Sequence, residues 1–262
     1  MTDIPRDPWA LLSPRTPARI AIGRSGASLP TREVLSFALA HAKARDAVHA
    51  RLDRTALAVQ LQALGLATIE VESQAIDRAT YLRRPDLGRR LDRASRDRLT
   101  DAAAGRHCDI ALLIGDGLSA TAVAANAPRV VECLLPHLGK LGVTVGPVVI
   151  AEGARVALGD EVGELLDARL LAVLIGERPG LSAADSLGVY VTYSPRPGRT
   201  DAERNCISNI RPGGLAPDLA AANLAWLIET ALSMKTTGVM LKDRSQAIAG
   251  PGEAGAIDGP GN

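Results

Sequence analysis

The run Leu170 to Ile175, LLAVLI, is apolar throughout and stops abruptly at Gly176-Glu177-Arg178-Pro179-Gly180. An uninterrupted apolar run of this length reads as a strand buried on both faces, the kind found in a sheet covered by helices on either side. Pro179 lacks the N–H that a ladder needs and Gly180 tolerates positive φ, so the chain is expected to leave the sheet at this point. In open α/β sheets ligands sit beyond the carboxyl ends of strands, which puts Glu177 where a site is expected. Val189 to Tyr193 reads as a further strand, ended by Ser194-Pro195. Asp201 to Pro212 reads as a polar loop with one thiol, Cys206, at its centre.

The remainder of the chain supplies what such a sheet requires. Asp109 to Ile114 and Val143 to Ile150 read as further strands, with Thr68 to Glu72 as a short one. Helical periodicity predicts helices over 31–52, 54–64, 160–166 and 215–235, and one that follows the basic stretch Arg83 to Arg90 and reaches about Ala104. Two helical pieces broken at Pro128 are expected from Ser119 onward. On the first helix, Val34, Leu35, Ala38, Leu39, Ala42 and Ala47 form the apolar stripe expected to face a core. Strands alternating with helices imply βαβ crossovers, and hence an α/β fold: a helical N-terminal part followed by a Rossmann-like, mostly parallel sheet with flanking helices. The expected divisions are an irregular arm over 1–17, a helical domain over 18–105, a Rossmann-like domain over 106–244 and a disordered Gly/Pro-rich tail over 245–262. Trp9 is placed to anchor the arm.

Composition removes several classes of function. Aromatics are 2 % of a chain that is 47 % hydrophobic, and the formal net charge is +1. Neither a base-stacking platform nor a basic nucleic-acid footprint is present. No run approaches the ~20 apolar residues that span a bilayer, and no signal peptide opens the chain. Cys108, Cys133 and Cys206 fit no zinc spacing and point to a reducing, cytoplasmic compartment.

Individual residues leave alternatives open. Gly115-Asp116-Gly117, between a strand and a helix, could cradle a phosphate on helix-terminal N–H groups. It is neither G-x-G-x-x-G nor a P-loop, and such turns are ordinary structure. Glu177 reads as a catalytic carboxylate, an acceptor for amide donors or a surface charge. Cys206 alone reads as a packed thiol, and Val156 alone as a strand-end residue. The arginine-dense stretch Arg83 to Arg90 reads as a solvated face or a partner contact. On these residues alone, the candidates include a self-sufficient nucleotide-binding enzyme using Gly115 to Ser119, and a scaffold assembling through the arginine patch.

Longer motifs narrow the choice. GERPGLS from Gly176, DSLG from Asp185, YSPR from Tyr193 and NCISNI from Asn205 together resemble the small-subunit family of ethanolamine ammonia-lyase. ARIAIGRSGASLPTREVLSFALAHAKARDAV from Ala18, YLRRPDLGRRL from Tyr81, DGLSATAV from Asp116 and ARVALGDEVGE from Ala154 extend the resemblance over roughly Asp7 to Lys242. The resemblance implies an adenosylcobalamin-dependent ammonia-lyase of ethanolamine catabolism, yielding acetaldehyde and ammonia by radical chemistry. It further implies a large-subunit partner whose (β/α)₈ barrel holds the substrate pocket, within a higher-order hetero-oligomer. Carried over motif by motif, the cofactor contacts fall on Val156, Glu177 and Cys206, with Glu177 accepting from a corrin amide. No catalytic acid, base or nucleophile and no metal ligand is assigned to this chain, and activity is not expected from it alone. The D-x-H-x-x-G motif, whose His displaces the cofactor's own base, is absent; His41, His49, His107 and His137 lie in other contexts, so base-on binding is expected. The expected location is the cytoplasm, with a bacterial microcompartment as the alternative. Relatives that enter such compartments carry a longer N-terminal extension, whereas Met1 to Arg6 alone precede the shared region here.

Overall fold

The computed structural model describes residues 8–16, 18–103 and 107–241. The expected boundary at Gly105, the tail over 245–262 and the first seven residues of the N-terminal arm lie outside the described residues. Residues 8–16 contain two short 3₁₀ turns. Then follow α1 (Thr31–His49), α2 (Arg54–Ala63), β1 (Thr68–Glu72), α3 (Arg78–Arg83), α4 (Arg93–Ala103) and β2 (Cys108–Gly115). The second half holds α5 (Ala120–Leu141), β3 (Val145–Glu152), α6 (Leu158–Leu165), β4 (Ala168–Gly176), β5 (Leu187–Tyr193), β6 (Arg204–Ile210) and α7 (Pro217–Met234).

The strands form one six-stranded sheet in the order β1-β3-β2-β4-β5-β6. The first four are parallel; β5 and β6 are antiparallel to their neighbours. β1 precedes Gly105 in the chain yet pairs with β3, so the sheet draws on both sides of that position. Alternate residues of each strand point to opposite faces. Ile110, Leu112, Leu170, Ala172 and Leu174 pack under α2, α5 and α7, while Ala111, Leu113, Leu171 and Val173 pack with Leu99 of α4 and Leu158 and Val162 of α6. Two covered faces account for the uninterrupted apolar runs in β2 and β4. No described helix is long and apolar enough to cross a membrane.

Three expectations change. α5 is one helix of 22 residues containing both Pro128 and Pro136, rather than two pieces. Each proline frees the carbonyl four residues earlier, and those residues, Ala124 and Glu132, are exposed, so water can take the bond that the helix loses. Residues 201–212 are not a loop: a short 3₁₀ turn at Asp201–Glu203 leads into β6. The third change concerns α1. Val34, Leu35, Ala38 and Leu39, expected to face the core, are exposed, and Ala47 is the buried residue of the helix.

One ion pair ties α6 to β6. Arg204 donates from Nη1 to Asp160 Oδ1 at 2.7 Å and from Nη2 to Oδ2 at 2.6 Å, and both side chains are 2 % exposed. Thr192 Oγ1 and the Arg199 carbonyl accept further bonds from the same guanidinium. Burial pulls Arg204 toward neutrality, but its hydrogen bonds to Asp160 and the negative charges of Asp160, Asp201 and Glu203 together outweigh this and keep it charged. The cost of taking both charges out of water is offset by this bidentate geometry, and would be exposed in full if one partner were lost. In the turn before β6, Glu203 Oε2 accepts from Thr200 N at 2.7 Å, and Oε1 from Arg199 Nη1. These donors, the Thr200 N–H foremost, hold its carboxyl down at about 2.

Asp160→Ala leaves a buried unpaired guanidinium and should lower the urea unfolding free energy by about 3–5 kcal/mol. Asp160→Leu combined with Arg204→Met should recover most of that; an equal loss in the double variant would contradict the charge-pair account. Glu203 is depressed from 4.5 to about 2, so its contribution is complete above pH 4.5 and lost as pH falls through about 2. The melting-temperature gap between the natural chain and Glu203→Gln should accordingly be constant at neutral pH and close over that acid window. A gap independent of pH would show that the carboxyl is not so held.

Candidate functional site

The site is built where two backbones meet at the carboxyl ends of β2 and β4. Gly117 has φ +56°, and a Cβ placed there would lie 2.3 Å from the Gly176 carbonyl oxygen. A Cβ on Gly176 would lie 2.2 Å from the Ser119 carbonyl oxygen, so both positions require glycine. Leu118 N–H donates to Gly176 O at 2.9 Å, and Asp116 N–H to Ala151 O. Ser119, fully buried, caps α5 through Ala122 N–H and donates its own hydroxyl to Ala184 O at 2.8 Å. Asn126, also on α5, donates to Asp185 O at 2.9 Å. The α5 N-terminus is thus covered by residues 184–186, and the turn's N–H groups at 116 and 118 are already spent. The Gly115-Asp116-Gly117 turn is a packing device, not a phosphate cradle.

The same contacts hold the 177–186 loop, whose ends join through Glu177 N–H to Ser186 O at 3.0 Å. Glu177 emerges into an open groove of about 420 Å³, which Val156, Arg155, Tyr81, Arg178 and Tyr190 also line, with the backbones of Gly117 and Gly176. Glu177 Oε2 accepts from Ser186 Oγ at 2.5 Å and from Asn209 N–H at 3.2 Å. Asn209 has φ +59° and sits at a break in the β5–β6 register, which is what frees its N–H from the ladder. Oε1 has no hydrogen-bond donor among the described residues. Gly188 leaves room for this carboxyl group: a Cβ there would meet Oε1 at 3.0 Å.

Of the sequence-derived residues, Val156 and Glu177 share this groove. Val156 lies in the turn that enters α6, beyond the end of β3. Cys206 stands beside the groove, paired across β5–β6 with Tyr190, and its side chain is exposed on β6. The residue keeps an exposed surface, yet the protein packed around its sulfur removes enough water to push the thiol up, with Tyr190 opposing and the nearby Glu177 adding to the shift. Burial likewise pushes the Tyr190 phenol up, well beyond its ordinary range. A thiol held protonated is a poor nucleophile and a poor anionic ligand. None of the four histidines lines the groove.

Sequence reasoning missed the wall formed by Tyr81 and Arg155, with Arg78 stacked on the same ring. Tyr81 is 1 % exposed, and its hydroxyl donates to Ala154 O at 2.9 Å. The guanidinium carbons of Arg78 and Arg155 lie 4.7 and 4.2 Å from its ring centroid. Arg78 also donates to Gly117 O at 2.8 Å and, longer, to Asp116 Oδ2. Burial pushes the Asp116 carboxyl up, against the donors Ala154 N–H and Arg78. YLRR was visible as a motif, but Ala154 and Arg155, which Tyr81 meets, lie far away in the chain, and no local periodicity reports them. Part of the arginine patch is structural as well. A Cβ on Gly88 would meet Gly153 O at 2.9 Å, and Gly88 O accepts from Arg155 N–H.

The family model described as "Ethanolamine ammonia-lyase light chain (EutC)" matches residues 6–242. The chain belongs to this family. It is 59 % identical over 234 residues to a protein of Rhodopseudomonas palustris named ethanolamine ammonia-lyase small subunit, covering 89 % of each chain. A protein of the same name from Bradyrhizobium diazoefficiens is 57 % identical over 92 % of this chain and 93 % of its own. One from Azotobacter vinelandii is 50 % identical over 98 % and 94 % respectively. For the light-chain family member described here, the match spans every element from α1 to α7 and all the residues that line the groove.

Gly117→Ala should destabilise the fold by about 3 kcal/mol, because a methyl group cannot enter the Gly117–Gly176 contact without parting two backbones. A lowered urea midpoint is the readout. An unchanged midpoint would mean that the contact opens without cost.

Proposed function

We propose that this chain is the small subunit of an ethanolamine ammonia-lyase, and that it holds the rim of adenosylcobalamin, base-on, against a large subunit. The names of its relatives imply that large subunit. The reaction served is the conversion of ethanolamine to acetaldehyde and ammonia. The observation that carries the reading is Glu177: one oxygen pinned by two protein donors, the other with none among the described residues, on a groove shared with Val156, in a chain of this family.

The residues present suit that group. A groove of about 420 Å³ takes an edge rather than a whole corrinoid, so the opposite wall has to come from a partner. The rim of a corrin carries carboxamides, and Glu177 Oε1 is an acceptor for their N–H groups. Ser186 and Asn209 hold the carboxyl group in place, so little rotamer freedom is lost when it binds. Val156 contributes apolar contact, and Cys206, protonated beside Tyr190, contributes a small side chain and backbone groups. When bound, adenosylcobalamin supplies the radical chemistry through its cobalt–carbon bond. This chain's part is to orient the cofactor and to cover it from water. The acid–base groups and the substrate pocket belong to the large subunit's barrel, within a higher-order hetero-oligomer in the cytoplasm or a microcompartment.

Glu177→Ala, assembled with the large subunit, should raise the Kd for hydroxocobalamin about tenfold in a spectral titration, as expected for one lost hydrogen bond to a charged acceptor. Unchanged affinity in a complex that assembles normally would remove the role given to Glu177.

A further inference from the structure

Arg155 is a half-buried cation without a counter-ion. Among the described arginines that the fold shields, Arg54, Arg78, Arg199 and Arg204 each meet a carboxylate. Arg211 donates to Asn209 Oδ1 and the Pro212 carbonyl. Arg155 makes a single side-chain bond among the described residues, from Nη2 to the Tyr81 carbonyl at 3.3 Å. Its Nε is buried with no acceptor, and Nη1 has none among the described residues. Asp116, which accepts from the adjacent Ala154 N–H, is taken by Arg78, whose own Nη2 is also buried and unmatched. Two guanidinium groups on Tyr81 therefore stand against one carboxylate, and the surplus charge lies at the groove that Arg155 lines. Taking a charge out of water without a partner is costly. Unmatched buried donors are rare in native folds, and one beside a groove marks a place for an acceptor.

The guanidinium is also held in place. Its carbon lies 4.2 Å from the Tyr81 ring centroid, and the Arg155 N–H donates to Gly88 O at 2.8 Å. A Cβ on Gly88 would lie 2.9 Å from Arg155 Cγ, so the glycine of PDLG gives the side chain its path. We infer that Arg155 binds the phosphodiester of the cofactor's nucleotide tail. The inference rests on the reading above, in which the groove takes the rim of base-on adenosylcobalamin. The polar groups round a corrin are neutral carboxamides; the phosphodiester is the anionic group among them. Glu177 repels that anion and suits an amide N–H, whereas Arg155 matches phosphate oxygens in both charge and planar geometry. The two charges in one groove thus sort the two kinds of group on the ligand. Arg178 also lines the groove, but it is exposed and no contact among the described residues fixes it. A guanidinium already stacked and tethered loses little freedom when an anion arrives.

The test is corrinoid binding by the full chain assembled with the ethanolamine ammonia-lyase large subunit from the same source. Spectral titrations use hydroxocobalamin and diaquacobinamide, which keeps the carboxamides and lacks the nucleotide tail. Arg155→Met leaves an apolar side chain against Tyr81 and removes the charge. It should raise the Kd for hydroxocobalamin about 30-fold, as for a lost bond between charged groups, and that for the cobinamide by less than about twofold. Glu177→Ala, by contrast, should weaken both. Arg155→Lys restores the charge without the planar group and should bring the loss back to about fivefold. The phosphorus NMR resonance of bound hydroxocobalamin should differ between the natural complex and the Arg155→Lys complex. Unchanged hydroxocobalamin affinity would overturn the assignment. Equal losses for the two corrinoids would overturn it as well and leave Arg155 a structural residue. So would an unmoved phosphorus resonance, which decides the matter where the cobinamide binds too weakly to titrate or Arg155→Met does not assemble. A natural complex that assembles yet binds neither corrinoid would instead overturn the cofactor reading, which keeps the two apart.

Discussion

The contact of Gly117 with Gly176 is the constraint on which the rest of the site depends. It brings the end of β2 onto the end of β4 at a distance that no side chain would allow. Everything near the groove is placed by it. The α5 N-terminus is pressed under residues 184–186 through Ser119 and Asn126. The 177–186 loop is held at both ends, and Glu177 leaves it at one fixed point. A glycine pair that looks like a ligand loop in the sequence serves instead to build the surface from which a carboxyl group projects. Loops that carry function work best when a rigid scaffold aims them, and here the scaffold is backbone against backbone.

The sheet explains why the groove is open. From β1 to β4 the strands are parallel and helices cover both faces. After β4 the chain turns back as an antiparallel pair, which needs no crossover helix. The face bearing Tyr190, Cys206 and Ser208 therefore loses its cover, and Cys206 and Ser208 are exposed on it. The Asp160–Arg204 pair marks the last point at which α6 holds β6. An apolar interior gives way there to a polar, half-open surface, lined with donors and acceptors in the manner of an interface or a cofactor rim.

α1 carries the same lesson at the level of a helix. Amphipathicity says that one face is apolar; it does not say which neighbour that face meets. In this chain the alanine side packs inward, and the leucine side points away from the fold. Small residues permit a close approach to α5, and larger ones remain on the surface.

By itself the sequence determined the fold class and most of the elements. The apolar runs at 109–114 and 170–175, and the periodic helices between them, reflect local and layer-scale physics that any α/β sheet must satisfy. It also marked GERPG as a strand's end and carried the motifs that identify the family. Tertiary structure decided the rest. Prolines 128 and 136 stay inside one helix because their freed carbonyls face water, which depends on which side of α5 is buried. Residues 204–210 became a strand because β5 offered an open edge. Tyr81 became part of the groove wall because Arg155 and the Ala154 carbonyl arrive from a distant part of the chain. Periodicity records the burial of a residue relative to its own element, whereas a site is made of residues from different elements, and only the packing of those elements brings them within reach of one another.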